Sequence, residues 1–594
     1  MARRARGQPR TMERMTYTLP DDITRAVQAS LHDWRVHDKV RRLWERDASL
    51  WTGNGEGDWL GWLHVISDSR SKTEQYRVFQ QEVRSAGFRQ ILLLGMGGSS
   101  LAADVMAKTL APVAGPLEFH LLDSIIPAQI KAVEERLDLA RTLVIVSSKS
   151  GTTLESNLLL HYFTERVAKA TRMSRDEVGS RFVAVTDPGT PLHRLAEERR
   201  FRHIFLGSPS IGGRYSALSP FGLVPAALVG LDVDDFLRRA QEMVDACAPA
   251  MSVEENPGVV LGTILGVLAT RGRDKVTIVT SSPIQSLGAW LEQLLAESTG
   301  KNGKGIIPIV GEPLGVPDDY GDDRVFVSVR IEPATDPVRD AALDALTCAG
   351  HPVVRLSVGD PRDLGQEFFR WEMATAVAGS LLEINPFDQP DVEASKRQTR
   401  HLMEEYGRAG ELPAERPLCE ERGLQVFADE SIASLLRSEA GGAPSLVGCL
   451  RAFLSQRRPP AYVALLAFLE MNESHEQELT EMRRVIRDRT RVATMVGFGP
   501  RFLHSTGQLY KGGPPGGVFL YITAHHAVDL PVPEHSYTFG IVAQAQARGD
   551  CQVMAERGRN VLRVHLLADT VTGLKTLRAA LLEAMLGAVP QGGE

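Results

Sequence analysis

"LLLGMGGSSL", Leu92–Leu101, is an apolar run that ends in three glycines and two serines. Ile91–Leu94 predicts a strand and Leu101–Leu110 a helix. Between them Gly95, Gly97 and Gly98 let the backbone turn sharply and approach an anion closely. The helix then points its free N–H groups and positive dipole end at that anion. Gly95-Met96-Gly97-Gly98-Ser99-Ser100 is close to GxGxxG, and Asp123 follows a second strand at about the spacing of a ribose-binding acid. Ser100 stands where the last glycine belongs. On this loop alone a dinucleotide pyrophosphate, a sugar monophosphate and a merely structural turn all stay open.

The strand-to-helix step recurs along the chain. Strands are predicted at Ile91–Leu94, Leu117–Leu122, Thr142–Ser147, Arg181–Val185 and His203–Phe205, with helices such as Leu101–Leu110 and Leu158–Ala170 between them. Such alternation gives a parallel sheet covered on both faces. A second block follows Leu231, with strands at Val276–Thr280, Val325–Ile331, Pro352–Ser357 and Leu381–Ile384. Arg400–Pro417 is polar and reads as a boundary. A third block has strands at Tyr462–Phe468, Thr494–Phe498, Val518–Ile522 and Val561–Leu567. The segments starting at Pro352 and Val518 both read strand, polar loop, aromatic-led helix, an echo of one design. The expected domains are a helical N-terminal segment (1–80), two α/β domains (81–230 and 231–400) and a C-terminal α/β extension (401–594).

Bulk composition excludes several classes. The 594 residues suit about three or four domains. Apolar residues make up 43% and charged residues 24%, an ordinary globular balance. A net charge of −7 argues against a nucleic-acid partner, which needs a basic face. The basic start Arg3-Arg4-Ala5-Arg6 has no apolar stretch after it, so it reads as a tail rather than a secretory signal. Val259–Leu268 is too short to span a bilayer and reads as a buried helix, so no membrane partner is expected. The five cysteines are scattered, which suits a reducing cytoplasm and no structural metal site.

"VIVSSKSGTTLES", Val144–Ser156, breaks the tie at the first loop. Ser148, Ser150, Thr152 and Thr153 surround Gly151, with Lys149 in the turn. Hydroxyls and backbone N–H groups in such a nest cage one dianionic phosphate. A helix cap needs one hydroxyl, through Thr153 with Ser156 or Thr152 with Glu155, not four and a lysine. Two loops from adjacent parallel strands converge on one sugar phosphate; a dinucleotide needs no second cage.

Here the chain resembles the phosphoglucose isomerases, a family built from sugar-isomerase (SIS) domains. "GMGGSSL" and "SSKSGTTLES" are similar to its first two signatures. "GGRYSALSPFG" (Gly212–Gly222), "LEQLLAESTGKNGKG" (Leu291–Gly305) and "NPFDQPDVEASK" (Asn385–Lys396) are similar to three more, in family order. "RRLWERDASLWTG" and "FGPRFLHSTGQLYKGGP" (Phe498–Pro514) resemble the isomerase half of fused transaldolase–phosphoglucose isomerases. Roughly ninety residues before Gly95 cannot make a transaldolase barrel of about 250, which leaves any transaldolase partner to a separate chain. The resemblance implies two SIS-type three-layer α/β domains. It implies interconversion of glucose 6-phosphate and fructose 6-phosphate through a cis-enediolate, in glycolysis and gluconeogenesis, without cofactor or metal. It also implies homodimers with shared sites.

The chemistry needs a base, an electrophile and a ring-opening acid. By periodicity alone, Glu297 is a solvated carboxylate or one paired with Lys301. At the end of an apolar helix it can also be partly desolvated, which raises a carboxyl pKa. The resemblance makes Glu297 the proton-transfer base and Gln293, one turn earlier, a substrate-binding amide. Arg214 alone would be a surface arginine; the resemblance makes it the planar cation that stabilises the enediolate. Gly98, Ser99, Ser148, Lys149, Ser150 and Thr153 become sugar or phosphate contacts. Lys396 assists ring opening, and Gln389 contacts sugar or phosphate. The ring-opening histidine ordinarily falls between the glutamate and lysine motifs, where this chain has only His351, in unmatched surroundings. His504 matches better, with Gln508 and Lys511 after it, although it lies beyond Lys396. The third block is therefore expected to supply His504, from the same chain or a neighbouring one.

Three rivals follow. A non-catalytic sugar-phosphate sensor has no reason to keep Glu297, Arg214 and Lys396 together. A nicotinamide dehydrogenase would use the Gly95 loop and Asp123. An isomerase of wider range would also take mannose 6-phosphate.

Overall fold

A computed structural model describes residues 14–110, 117–332, 336–440, 444–457 and 461–586; the basic stretch at residues 3–6 lies outside the described residues. A short strand β1 (Met15–Thr18) precedes the N-terminal helices. The first sheet holds β2 (Gln90–Gly95), β3 (Glu118–Leu122), β4 (Thr142–Ser147), β5 (Phe182–Thr186) and β6 (His203–Leu206), all parallel, in the order β3-β2-β4-β5-β6. The second holds β7 (Lys275–Thr280), β8 (Ile307–Val310), β9 (Arg324–Ile331) and β10 (Val353–Val358), in the order β1-β10-β9-β7-β8 with β1 antiparallel. The third holds β11 (Cys419–Glu421), β12 (Leu424–Phe427), β13 (Tyr462–Phe468), β14 (Ala493–Phe498), β15 (Gly517–Ala524) and β16 (Asn560–Leu566), in the order β11-β12-β16-β15-β13-β14.

The three parallel cores share one plan. In each, the second strand lies on one side of the first, the third on the other, and the fourth outside the third. An antiparallel strand caps the fourth in the second and third sheets, through β1 on β10 and β12 on β16. The repeat is thus one of strand order. The two echoing sequence segments begin on β10 and β15, which hold unlike places, fourth and third, in their sheets.

Both faces of these sheets are apolar, as parallel sheets require. Ile91, Leu93, Leu143 and Ile145 enter one core, and Leu92, Leu94, Val144 and Val146 another. That second core also takes Tyr462, Ala464, Leu466, Phe519 and Tyr521 from the third sheet, so one cluster joins the first and third units. A buried polar network joins the second and third. Glu312 accepts from Arg324 at 2.8 and 3.0 Å and from Thr494 Oγ1 at 2.8 Å, and Arg483 donates to the Val310 carbonyl at 2.7 Å.

Three sequence expectations change. Leu381–Ile384 is not a strand: Leu381 and Leu382 end the helix Leu364–Leu382, and Glu383 closes it at φ 54°. Every residue from Leu364 to Gly379 is buried, so this is one long helix covered on all sides, and its length outweighs the short apolar run at its end. Four of the described strands escape the sequence reading: β1, β11 and β12, each of three or four residues, and β8, whose Pro308 argues against a central strand; β8 lies at the sheet edge, where proline is tolerated. The boundary stretch Arg400–Pro417 is half helix, since Val392–Ala409 runs through it to Gly410 at φ 80°.

Val259–Leu268 lies inside the buried helix Pro257–Thr270. A Cβ on Gly258 would meet Met373 Cγ at 2.5 Å, on Gly262 the Ala374 carbonyl oxygen at 2.4 Å, and on Gly266 Leu381 Cδ1 at 2.7 Å. This four-residue glycine stripe lets the helix lie directly on Leu364–Leu382. Gly262→Ala is expected to cost about 1–3 kcal/mol by overpacking, read as a lower midpoint in calorimetric unfolding. An unchanged midpoint would mean that the two helices separate freely.

Candidate active site

The strands of the first sheet end at the two predicted loops. Gly97 turns at φ 54°, where a Cβ would lie 2.5 Å from the His504 carbonyl oxygen and 2.8 Å from Gln293 Nε2. A Cβ on Gly98 would lie 2.2 Å from the Gly213 carbonyl. The glycines therefore make room for the Gly213-Arg214 turn and for the His504 backbone, not only for a ligand. Ser99 is buried in the short turn Gly97–Ser99, and Ser216 Oγ reaches the Gly98 carbonyl at 3.3 Å.

At the second loop Gly151 turns at φ 66°. Ser148 Oγ donates to Thr153 Oγ1 at 3.1 Å, and Ser150 and Thr152 hydroxyls lie 2.9 Å apart. Thr153 precedes the helix Leu154–Thr171 without a side-chain cap bond, so its hydroxyl is not spent on capping. Lys149 is committed elsewhere: it pairs with Asp187 and donates to the Ser208 carbonyl at 3.2 Å. It braces the loop against its neighbours instead of standing among the hydroxyls.

Arg214, 2% exposed, is fully engaged. Its Nε donates to Ser298 Oγ at 2.7 Å, Nη1 to Gln389 Oε1 at 2.9 Å, and Nη2 to the Pro386 and Asp388 carbonyls at 2.8 and 2.9 Å. Glu297, on the helix Leu287–Thr299, places Oε1 3.4 Å from Arg214 Nη1. Gln293 Nε2 donates to Glu297 Oε2 at 3.0 Å and to the His504 carbonyl at 2.9 Å. The surroundings of Glu297 are thus a cation and an amide, not the apolar wall suggested by the helix pattern. Lys301 is buried behind them, 2.9 Å from Asp388 Oδ1. Burial, and then the charge of Arg214, pull its pKa down to about 7.

His504 comes from the third unit of the same chain. Its Nε2 lies 2.9 Å from Oε1 of Glu155, a buried residue on the second-loop helix. Burial alone would raise the Glu155 pKa; the charge and hydrogen bond of His504, with backbone and Gln546 donors, outweigh it and hold Glu155 at about 2. Burial alone would lower His504. The charge and hydrogen bond of Glu155, with Glu297, outweigh burial and the opposing Lys396, and leave His504 above its ordinary 6.5. Lys396, whose charge opposes the His504 imidazolium, stands on an exposed helix face with its Nζ 2.6 Å from Glu393. His351 is elsewhere, packed on Phe326 and Tyr320 near the N-terminal ends of β9 and β10.

Sequence reasoning missed Glu155 as a partner of His504; it had served only as a capping residue in "TTLES". It also missed Lys301, Ser298 and Gln546. The first two lie inside "ESTGK", so the motif held them without a role. Gln546 carries no motif. Gln508, seen only as following His504, is wholly buried and ties the third unit to Gly300 (2.9 Å) and to Asp391 (2.6 and 2.9 Å). Asp123, the acid that a dinucleotide would need, is paired with Arg501 at 3.0 Å. Among the described residues no cluster of His, Cys, Asp and Glu could hold a metal ion, and no helix is long and apolar enough to cross a membrane.

The family model for phosphoglucose isomerase matches residues 62–307. A glucose-6-phosphate isomerase of Rubrobacter xylanophilus is 32% identical over 56% of this chain and 85% of its own length. One from Thermosynechococcus vestitus is 31% identical over 56% of this chain and 70% of its own. A hypothetical protein of Thermus thermophilus has the same fold at TM-score 0.57 and 24% identity, covering 66% of this chain and 99% of its own. A glucose-6-phosphate isomerase of Chlamydia trachomatis follows at TM-score 0.50 and 23% identity, covering 58% and 74%.

The pH dependence of the Glu155–His504 pair follows from these directions. The raised His504 pKa contributes stability below about 6.5 that is lost as pH rises through the folded value. The depressed Glu155 pKa contributes above about 4.5 and is lost as pH falls toward 2. Glu155→Gln is therefore expected to cost most stability between about pH 4.5 and 6.5, measured by urea unfolding across pH. A cost independent of pH would deny the ion pair.

Proposed function

This chain belongs to the phosphoglucose isomerase family, and we propose that Glu297, Arg214, His504 and Lys396 carry its reaction in one cleft. The enzyme is an isomerase that interconverts glucose 6-phosphate and fructose 6-phosphate. Its sheets and covering helices have the SIS-type α/β architecture. The observation that supports the assignment is the Gln293 bridge, which joins the Glu297 carboxylate at 3.0 Å to the His504 backbone at 2.9 Å beside Arg214.

The phosphate lies over the second loop, held by Ser148, Ser150, Thr152 and Thr153, with Gly98 and Ser99 alongside the sugar. His504, with Nε2 taken by Glu155, presents Nδ1 and protonates the ring oxygen as the C1–O5 bond opens; Lys396 assists at that oxygen. Glu297 removes the C2 proton as the C1 carbonyl becomes an enediolate oxygen. The negative charge faces Arg214, whose planar cation is already oriented by four acceptors. Glu297 then returns the proton to C1 and the O2 proton passes to O1 as the C2 carbonyl forms; on closure O5 returns its proton to His504, and the proton that O1 gave to solvent on opening is replaced at O2. Gln389 fixes Arg214 more directly than it meets the sugar. The reaction runs in the cytoplasm, and one chain supplies the whole site.

Two experiments test this. Glu297→Gln is expected to lower kcat for fructose 6-phosphate conversion by about 10³-fold or more, since the base is lost with little change in shape; unchanged turnover would overturn the mechanism. His504→Ala is expected to lose activity on the cyclic sugar far more than on an open-chain aldose phosphate. Equal losses, or none, would remove the ring-opening role. Mixing the two variants is expected to restore nothing; recovered activity would place His504 in a neighbouring chain's site.

A further inference from the structure

Glu155 is held from two sides at one oxygen. His504 Nε2 approaches Oε1 at 2.9 Å, and Gln546 Nε2 donates to the same atom at 2.6 Å. Gln546 stands on the helix Phe539–Glu556 of the third unit and is 5% exposed. Among the described residues nothing donates to its own buried Oε1. Turning the amide over would set its oxygen against the carboxylate oxygen. An anionic Glu155 therefore dictates its orientation.

We propose that Gln546 is a positioning residue that holds the Glu155 carboxylate in line with His504, so that His504 remains an imidazolium ready to protonate the sugar ring. This rests on the ring-opening role given to His504 above. The charged groups that face His504 are Glu155, Glu297 and Lys396, each from a different helix. The two carboxylates favour the imidazolium, and Lys396 opposes it. Gln546 works on the first of these. A neutral N–H donor suits that role, because it stabilises the carboxylate without competing for its charge, whereas a lysine there would repel the imidazolium.

The test uses the full chain and the pH profile of kcat/KM. Gln546→Met keeps most of the volume and removes the donor. With the cyclic sugar phosphate its alkaline limb is expected to move down by about one pH unit, because a carboxylate freed to turn away from Nε2 weakens the charge-assisted bond that favours the imidazolium. With an open-chain aldose phosphate the profile is expected not to move. Gln546→Glu sets two carboxyl groups together that share one proton. The pair keeps one negative charge, so the alkaline limb stays or moves up. Limbs that stay in place in Q546M, or that move down in both variants, overturn the proposal. His504→Ala separates the two readings. If it affects cyclic and open-chain substrates alike, the ring-opening role fails. If it discriminates while Q546M moves nothing, only the role of Gln546 fails. Should Q546M not fold, imidazole NMR of Q546E decides: a His504 pKa below that of the wild type overturns the proposal.

Discussion

Glu155 and His504, a carboxylate and an imidazole from units far apart in the chain, meet at 2.9 Å with the carboxylate buried. Removing a charge from water is expensive unless a partner compensates it, so each residue makes the other tenable. The pair fixes where the third unit sits on the first. A second ion pair, Arg501 with Asp123, and a shared apolar cluster hold the same junction. With that junction in place, the His504 backbone lies over Gly97 and gives Gln293 an acceptor. The site is thus a consequence of how the third unit docks, as much as of any one loop.

Arg214 plays the complementary part for the second unit. Its donors go to Ser298, Gln389 and the Pro386 and Asp388 carbonyls, so it ties the Leu291–Gly305 and Asn385–Lys396 motifs together as well as facing Glu297. Lys301 holds Asp388 from the other side. Two buried cations on one turn repel each other, which helps explain why the pKa of Lys301 is pulled down. A cation already held in place loses little on meeting a new negative charge, which is the physical sense of preorganisation.

What could be read from the sequence follows what is local in the fold. The strands of the first sheet, the two phosphate loops and the buried helix Pro257–Thr270 are each short-range patterns, and they stand close to where periodicity puts them. Leu381–Ile384 failed because a four-residue apolar run says nothing about the helix it terminates. β8 was hidden by a proline that only an edge tolerates. Within the site, Glu297, Arg214, Gln293 and His504 converge. Lys149, however, turns out to be bound to Asp187, a partner almost forty residues away. Glu155 and Gln546 were invisible for the same reason, since no spacing relates a residue on the second loop's helix to one on a helix of the third unit.

The three units share one strand order, yet they do not contribute alike. The two glycine-bearing loops lie near residues 95 and 150, Glu297 follows in the second unit, and His504 and Gln546 come from the third. Chains emerge from the ribosome N-terminus first, and domains fold as they appear. The order of synthesis therefore becomes an order of competence. The two glycine-bearing loops leave the ribosome several hundred residues before His504 does. Glu155 gains His504 and Gln546, the two side chains bonded to its carboxylate, only once the third unit has been made.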